Sequence, residues 1–296
     1  MTRELSISHL ENVPYRFPIS YSQFSLFMDC PKRYEMQYKS EERIRSIPYG
    51  NTLLGTAMHN TLEEFYGATI AGSPITDLKQ LEDMLLRYFW AEVSRAGDNI
   101  NLRKDKSKFS SEDEWRDFYQ GEISQLYATG KTLLGAFFKQ HFADDGRYQP
   151  EAVELNITTE LPDADDYPGL KGVKFTAKID YLEFDTLTKQ YRMLDHKLSA
   201  RFDKSKLQNN DQLTLYAYLI NRVINKPVSA VGYQIFDTST KKVSRILGSR
   251  TEPQFKSLLR NLAAIVPSMK LPFSYKRFGD HCRWCPVKDR CFSGEI

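Results

Sequence analysis

The chain has 296 residues, of which 41% are hydrophobic and 27% are charged, and its formal net charge is +3. This composition is typical of a globular protein with a filled core, and it excludes a disordered chain and, with only four cysteines, a secreted disulfide scaffold. No apolar run approaches ~20 residues and the N-terminus lacks an apolar signal segment, so we expect no membrane partner and a soluble, intracellular protein, cytoplasmic or in a host cell if phage-encoded.

The first half of the chain is predicted to be mostly helical. YSQFSLFMDCPKRYEMQY has apolar residues at helical spacing, and Pro31 must stand at a turn or a first helical position, so two short helices are as well supported as one. The residues expected on its buried face are Phe24, Phe27, Met28 and Tyr34. NTLLGTAMHNTLEEFYGATI then predicts a helix that ends before Gly72 and places His59 and Glu63 one turn apart on a common face.

Two further amphipathic helices are predicted over residues 77–96 and 112–142, and the pattern changes after Pro150. AVELNITTEL, VKFTAKIDYLEF and KQYRMLDHKL are rich in β-branched and aromatic residues between turn signals, which predicts three successive strands. QNNDQLTLYAYLINRV predicts a helix, VSAVGYQIFDT another strand and TEPQFKSLLRNLAAIVPSM a last helix. We therefore expect a sheet wrapped by helices, of α/β or α+β class.

The two middle strands end in charged residues. Asp180 ends VKFTAKID, and Asp195 and Lys197 lie two residues apart at the end of the next strand, so their side chains share a face. Antiparallel pairing could bring Asp180 and Asp195 together, and two such carboxylates favour a hard divalent cation between them. A nearby lysine would orient water, help to deprotonate it, or neutralise charge on a phosphate oxygen. The alternative interpretation is a pair of solvated strand ends.

Together these segments resemble the RecB-like branch of the PD-(D/E)XK nuclease superfamily over nearly the whole chain. YSQFSLFMDCPKRYEMQY is similar to the N-terminal segment of that branch, and GTAMHNTLEEF is similar to its Gly-x-x-x-His helix. AKID and LDHK are similar to its paired acidic and acid-x-lysine motifs, and QLTLY to its Gln-x-x-x-Tyr helix. The resemblance implies a single domain, residues 1–296, with a restriction-endonuclease-like mixed sheet flanked by helices. It also implies a helical N-terminal half with an insertion at residues 76–145, and a C-terminal cysteine cluster.

The resemblance also implies roles for individual residues. The implied ligands of Mg²⁺ or Mn²⁺ are His59, Asp180, Asp195 and the backbone carbonyl of His196. Lys197 would be the catalytic lysine, and Gln212 and Tyr216 would lie near the site and contact DNA or steady that lysine. Glu63 ranks below these residues because it could be a solvated acid on the helix surface. His59 and Tyr216 could each be core residues instead.

Three of the four cysteines stand close together in HCRWCPVKDRC, as Cys282, Cys285 and Cys291, and the fourth is Cys30. Three thiolates leave a tetrahedral metal or a cubane cluster one ligand short, and Cys30 would complete the set. The pattern is similar to that of iron-sulfur RecB-like nucleases, including the CRISPR-associated exonucleases. The resemblance implies a 4Fe-4S cluster that joins a C-terminal clasp, residues 270–296, to Cys30. Structural Zn²⁺ is the alternative cofactor, and four free buried thiols are a third option.

The resemblance implies a metal-dependent DNA nuclease, most simply an exonuclease acting on single-stranded DNA or DNA ends. An aromatic-basic set could stack bases and touch phosphates, or be ordinary helix surface: Lys32, Arg33, Tyr34, Tyr38 and Lys39. No Gly-x-x-x-x-Gly-Lys-Ser/Thr motif occurs, so the chain would act on open ends or with a helicase, recombination or adaptation partner protein. The alternative is a DNA-binding subunit of a recombination or CRISPR-adaptation complex whose nuclease site is idle.

Overall fold

The computed structural model describes residues 18–40, 48–97, 100–102, 104, 106–143, 146–200, 202–271 and 274–295. The α-helices in these ranges are α1 (Tyr21–Asp29), α2 (Pro31–Tyr34), α3 (Gly50–Ile70), α4 (Leu78–Ala96), α5 (Glu112–Phe142), α6 (Asp211–Arg222), α7 (Glu252–Met269) and α8 (Lys288–Phe292). The strands are β1 (Ile19–Ser20), β2 (Tyr148–Glu160), β3 (Lys174–Asp185), β4 (Gln190–Ser199), β5 (Val228–Asp237) and β6 (Lys242–Gly248). All the helices and strands predicted from the sequence are present.

The six strands form one mixed sheet. β3 pairs with antiparallel β2 along most of its length, and its other edge is shared between parallel β1 and antiparallel β4. β4 and β5 run parallel, and β6 lies antiparallel to β5. On the shared edge, β1 pairs with β3 as far as Thr176 and β4 pairs with it from Tyr181 onward. The residues of β3 between these two points have no strand partner on that edge within the described chain, so the sheet has a gap there.

Helices cover both faces of the sheet. One hydrophobic cluster joins α3, α4 and α5 to the sheet through buried residues such as Leu62 and Phe89. The other joins α1, α6 and α7 to the opposite face through residues such as Tyr218 and Leu258. The predicted α/β fold, with a restriction-endonuclease-like mixed sheet flanked by helices, is confirmed. Within the described ranges, no helix combines the length and the apolar character that a membrane crossing needs.

The N-terminal helices have the predicted buried face except at Met28, and the predicted burial of Tyr34 is confirmed. Pro31 stands in the first turn of α2, as expected, and the segment therefore forms two helices. Met28 is 40% exposed and does not share the buried face of Phe24 and Phe27, so its predicted burial is wrong. Tyr34 is only 2% exposed and packs edge-on against Phe27, which rules out the base-stacking role considered for it. The sequence patterns also fail to predict β1 and β6, of which β1 has only two residues.

Candidate active site

The gap in the sheet contains the carboxylate of Asp180. The first residues of β3 and β4 that pair beyond the gap are Tyr181 and Leu194, and the same register would place Asp180 opposite Asp195. Instead, Oδ2 of Asp180 accepts a hydrogen bond of 2.8 Å from the backbone N–H of His196. The carboxylate thus replaces a strand partner for that N–H group, and the two strands part around it.

His59 reaches the gap from α3. Its Nε2 lies 2.8 Å from the carbonyl oxygen of His196, and its Nδ1 lies 3.4 Å from Oδ2 of Asp180. Because a carbonyl can only accept a hydrogen bond, Nε2 carries a proton in this arrangement, and Nδ1 is the ring nitrogen that faces the carboxylate. The predicted proximity of His59 and Asp180 is therefore present in the structure.

Asp195 and Lys197 lie on the same face of β4, with Nζ of Lys197 2.7 Å from Oδ2 of Asp195. Burial raises the pKa of the Asp195 carboxyl, and the nearby Asp180 also raises it, while Lys197 opposes the shift. Burial lowers the pKa of Lys197, but the charge and hydrogen bond of Asp195 together with the charge of Asp180 outweigh it, so the net shift is upward. The ion pair with Asp195 therefore favours the ammonium form of Lys197, which donates hydrogen bonds.

A further acid, Glu154, enters the site from β2, and the sequence analysis does not single it out. The register that pairs Val153 with Tyr181 places Glu154 opposite Asp180. Its φ of 48° lies in the left-handed region, which is uncommon and costly for a residue with a Cβ atom. The only signal in the sequence is an acid between two aliphatic residues of a predicted strand. Asp180, the residue opposite Glu154, lies in a different segment of the chain, so local sequence does not pair the two acids.

These side chains form a group of potential cation ligands. One donor atom from each of three residues lies within 4.8 Å of the other two: His59, Glu154 and Asp180. Within the described chain, Glu154 Oε2 and Asp195 Oδ2 are buried and make no hydrogen bond of regular geometry, although Lys178 and Lys197 form ion pairs with them. Carboxylate oxygens suit both Mg²⁺ and Mn²⁺, and an imidazole nitrogen is a better ligand for Mn²⁺ than for the harder Mg²⁺, so these residues fit the divalent cation that the sequence resemblance implies.

Two residues of α6 complete the surroundings of the site. Nε2 of Gln212 donates a hydrogen bond of 3.1 Å to the hydroxyl of Tyr216. Burial raises the pKa of Tyr216, and the charges of Asp195 and Asp180 raise it further, so the hydroxyl stays neutral close to both acids. Glu63 is exposed on α3 and does not join the ligand group of the described residues.

The ring of His196 lies on the other face of β4. It stacks near Tyr66 and Tyr181, with ring centroids 6.1 and 6.0 Å away, and burial lowers its pKa well below the ordinary value. A neutral ring packed among aromatic residues holds the backbone of His196 in place. That backbone provides the N–H group that binds Asp180 and the carbonyl group that contacts His59.

A second site contains all four cysteines, which line one small cavity: Cys30, Cys282, Cys285 and Cys291. Five basic residues line the same cavity: Lys32, Arg33, Lys276, Arg277 and Lys288. Burial raises the pKa of the Cys285 thiol, and the charge of Arg33 opposes this shift. In the described part of the chain, Nε of Arg33 is buried without a hydrogen-bond partner. An anionic group in the cavity would satisfy this nitrogen, so the cavity fits thiolates bound to a metal or cluster.

The clasp is bound to the N-terminal helices by contacts that are distant in sequence. The backbone N–H of Lys32 donates a hydrogen bond of 3.1 Å to the carbonyl of Tyr275, and Nζ of Lys39 donates one of 2.8 Å to the carbonyl of Leu271. Ser274 also binds Glu35 through their side chains. These contacts lie on the elements that hold the Cys-x-x-Cys segment next to Cys30.

Comparison with known proteins gives one family. A family model described as the PD-(D/E)XK nuclease superfamily matches residues 18–292, a range that contains the gap residues and all four cysteines. A solved structure of a proposed exonuclease from Eubacterium rectale is 13% identical to the chain, covering 96% of this chain and 92% of that chain with a TM-score of 0.48. The structure of SSO0001 is also 13% identical, covering 60% of this chain and 77% of that chain with a TM-score of 0.34. No match was found among curated proteins.

Proposed function

The chain belongs to the PD-(D/E)XK nuclease superfamily, and from that premise we propose that it is a metal-dependent DNA exonuclease that hydrolyses phosphodiester bonds in single-stranded DNA or at DNA ends. The observation that carries this proposal is the grouping of donor atoms from His59, Glu154 and Asp180 in the sheet gap. The Asp195–Lys197 ion pair lies on the strand that borders the gap. Cation ligands next to a fixed positive charge are what the hydrolysis of a phosphodiester requires.

His59, Asp180 and Asp195 would hold one or two Mg²⁺ or Mn²⁺ ions, with Glu154 as an additional ligand from β2. The carbonyl of His196 accepts a hydrogen bond from His59, so it would bind an ion only by exchanging that bond. When bound, the ion supplies Lewis-acid chemistry, polarising the scissile phosphate and lowering the pKa of water. The carboxylates would hold the ion in place, and its positive charge would relieve the repulsion between them.

Lys197 acts as a charged donor in this proposal. Its ion pair with Asp195 favours the positively charged form of the side chain. Its ammonium group orients the attacking water and offsets the negative charge that develops on the phosphate oxygens. The neutral hydroxyl of Tyr216, held by Gln212, would contact DNA or steady the lysine. No covalent intermediate is required.

The cysteine cavity is proposed to hold a 4Fe-4S cluster, with structural Zn²⁺ as the alternative. Four cysteine side chains around a basic cavity with an unsatisfied guanidinium nitrogen support an anionic group of this kind. The cluster would join the two ends of a single nuclease domain, residues 1–296, in which residues 76–145 are a helical insertion. A helicase or a recombination, repair or adaptation partner would supply unwinding, since the sequence lacks a motor motif.

The test is digestion of end-labelled DNA. Linear single strands, linear duplexes and circular single strands are incubated with Mg²⁺, Mn²⁺ or EDTA, using wild type and Asp195→Asn. We expect stepwise shortening of linear DNA that EDTA and Asp195→Asn abolish, while circular single strands stay intact. Cleavage of circles would show an endonuclease, and full activity in a folded Asp195→Asn protein would refute the site. Tight DNA binding without any cleavage would favour the idle-site alternative.

A further inference from the structure

The clasp displays aromatic side chains to solvent. Four aromatic residues are at least 60% exposed in the described ranges, and all four lie within the clasp: Tyr275, Phe278, Trp284 and Phe292. Other exposed aromatic residues, such as Trp90 at 45%, are less exposed and scattered. Four such rings within one short segment, two of them in contact, indicate a binding site, because leaving apolar surface in water is unfavourable.

The exposed rings contact each other by their edges more than by their faces. Phe278 and Phe292 lie 5.4 Å apart at an interplanar angle of 50°. Trp284 lies 6.5 Å from Tyr49 at 75°, and it is 70% exposed in spite of this contact. Open ring faces remain available to a flat, polarisable partner such as a nucleobase.

Positive charge is interleaved with these rings. Residues 274–295 contain five basic side chains against three acidic ones. Arg283 and Arg290 pair with Asp280 and Glu295, so the excess positive charge belongs to Lys276, Arg277 and Lys288 beside the cysteine cavity. Lys276 and Arg277 donate to the backbone carbonyls of Cys291 and Met28, so neither contact cancels their charge with a carboxylate. A protein partner with an apolar face would gain little from this charge, whereas a strand of nucleic acid carries a phosphate for each base.

The aromatic surface also has a fixed relation to the active site. Tyr49, which contacts Trp284, immediately precedes α3, and His59 lies ten residues farther along the same chain. A rise of about 1.5 Å per residue separates them by roughly 15 Å along the helix axis. At about 3.4 Å per stacked nucleotide, this distance corresponds to roughly four nucleotides.

We propose that the exposed rings of the clasp form a base-stacking platform for single-stranded DNA, which holds the substrate a few nucleotides from the cleavage gap. This inference rests on the proposed nuclease function and names its substrate as a single strand. Base stacking, which the sequence analysis considered for the buried Tyr34, is here assigned to Trp284 and the other exposed rings of the clasp. Contacts between the clasp and the N-terminal helices order the platform before DNA arrives, so little conformational entropy is lost on binding.

The test measures binding in EDTA, so that it does not depend on cleavage. The cluster-containing full-length protein is titrated into fluorescein-labelled dT12, and anisotropy gives Kd. We expect Trp284→Ala and Phe278→Ala each to weaken binding about tenfold, consistent with base stacking on a lost ring. Trp90→Ala, which removes an exposed tryptophan from α4, should bind as wild type. We expect dT3, which is too short to bridge platform and gap, to bind weakly to every variant.

A second readout does not require the alanine variants to fold. Stacking of dT12 should quench tryptophan emission in wild type, and Trp284→Phe should remove the quench while keeping Kd within about threefold. A pre-formed duplex should not quench, since its bases already stack on one another. The platform proposal would be wrong if Kd were unchanged in Trp284→Ala and Phe278→Ala, or if dT12 still quenched emission in Trp284→Phe. Either result would favour a protein partner for this surface. If wild type binds dT12 as expected but cleaves no DNA, only the nuclease proposal is refuted.

Discussion

The Asp180 carboxylate takes the backbone N–H of His196 as its hydrogen-bond donor, 2.8 Å away, where β3 and β4 separate. One acid would therefore have two functions, because it satisfies a main-chain donor and is also a ligand of the proposed cation.

This double role predicts different stabilities for two inactive variants. Asp180→Asn keeps a side-chain oxygen for the His196 N–H group, while Asp180→Ala leaves that group without its acceptor, at a cost of about 1–3 kcal/mol. Both should lose cleavage. Urea denaturation in EDTA compares their free energies of unfolding, and equal values would show that the hydrogen bond contributes nothing to the fold.

Lys197→Met removes the ammonium group and keeps the length of the side chain. We expect the cleavage rate to fall by about 10²–10³-fold, because a fixed charge that stabilises the transition state is lost. Lys174→Met, exposed at the start of β3, is the matched control and should cleave normally. Single-turnover digestion with saturating enzyme measures the step. The pH dependence of the rate tests the donor role. If the wild-type rate rises with pH and Lys197→Met abolishes this rise, Lys197 acts as a base and its role as a donor is contradicted.

Glu154→Gln tests the acid that the structure adds to the site. We expect the Mn²⁺ concentration for half-maximal cleavage to rise by about 10–100-fold, as for loss of a group that supports a metal site. Glu160→Gln, exposed on the same strand, should leave the metal requirement unchanged. Titration calorimetry with Mn²⁺ and no DNA gives the same comparison without turnover. If both variants bind Mn²⁺ like wild type, Glu154 is no ligand.

The cysteine set predicts a coloured protein. Anaerobically purified wild type should show broad visible absorbance with iron, and Cys285→Ser should lose the absorbance and melt at a lower temperature. His281→Ala is the control, because His281 lines the same cavity and offers nitrogen in place of sulfur. Its absorbance should stay complete. A colourless wild-type protein with stoichiometric zinc would replace the cluster with a zinc site.

Asp185 predicts an acid-dependent contribution to stability. Its carboxylate binds Arg147 through two hydrogen bonds of 2.9 and 2.6 Å and also accepts from the backbone of the β3–β4 turn. The Arg147 contact lowers the pKa of Asp185 well below its usual range. The unfolded chain therefore binds a proton more readily than the folded one, so this stability is present at neutral pH and is lost as pH falls below about 4.

Asp185→Asn should accordingly melt below wild type at pH 7, and the difference should narrow as pH falls from 4 toward 2.5. Asp165→Asn, which removes only an exposed ion pair with Lys171, should change little at any pH. Thermal melts across this range make the comparison. A difference that is constant with pH would mean that Asp185 acts through packing or turn geometry and not through its charge.

Much of the fold follows from local sequence. Helical spacing in α3 and α5 and β-rich composition in β3 and β4 were sufficient to predict these elements, because each pattern repeats within one segment. The common face of Asp195 and Lys197 follows from the two-residue period of a strand, which no distant contact alters. The family resemblance was carried by motifs of the same local kind.

The tertiary structure decided what depends on two segments at once. Glu154 joins His59 and Asp180 only through the register of β2 on β3, which strand composition does not specify. Tyr34 is buried and Trp284 exposed because of how the N-terminal helices and the clasp pack, although both are aromatic residues beside basic ones in sequence. Local periodicity fixes which way a side chain points from its own element, whereas the partner it meets is set by long-range packing.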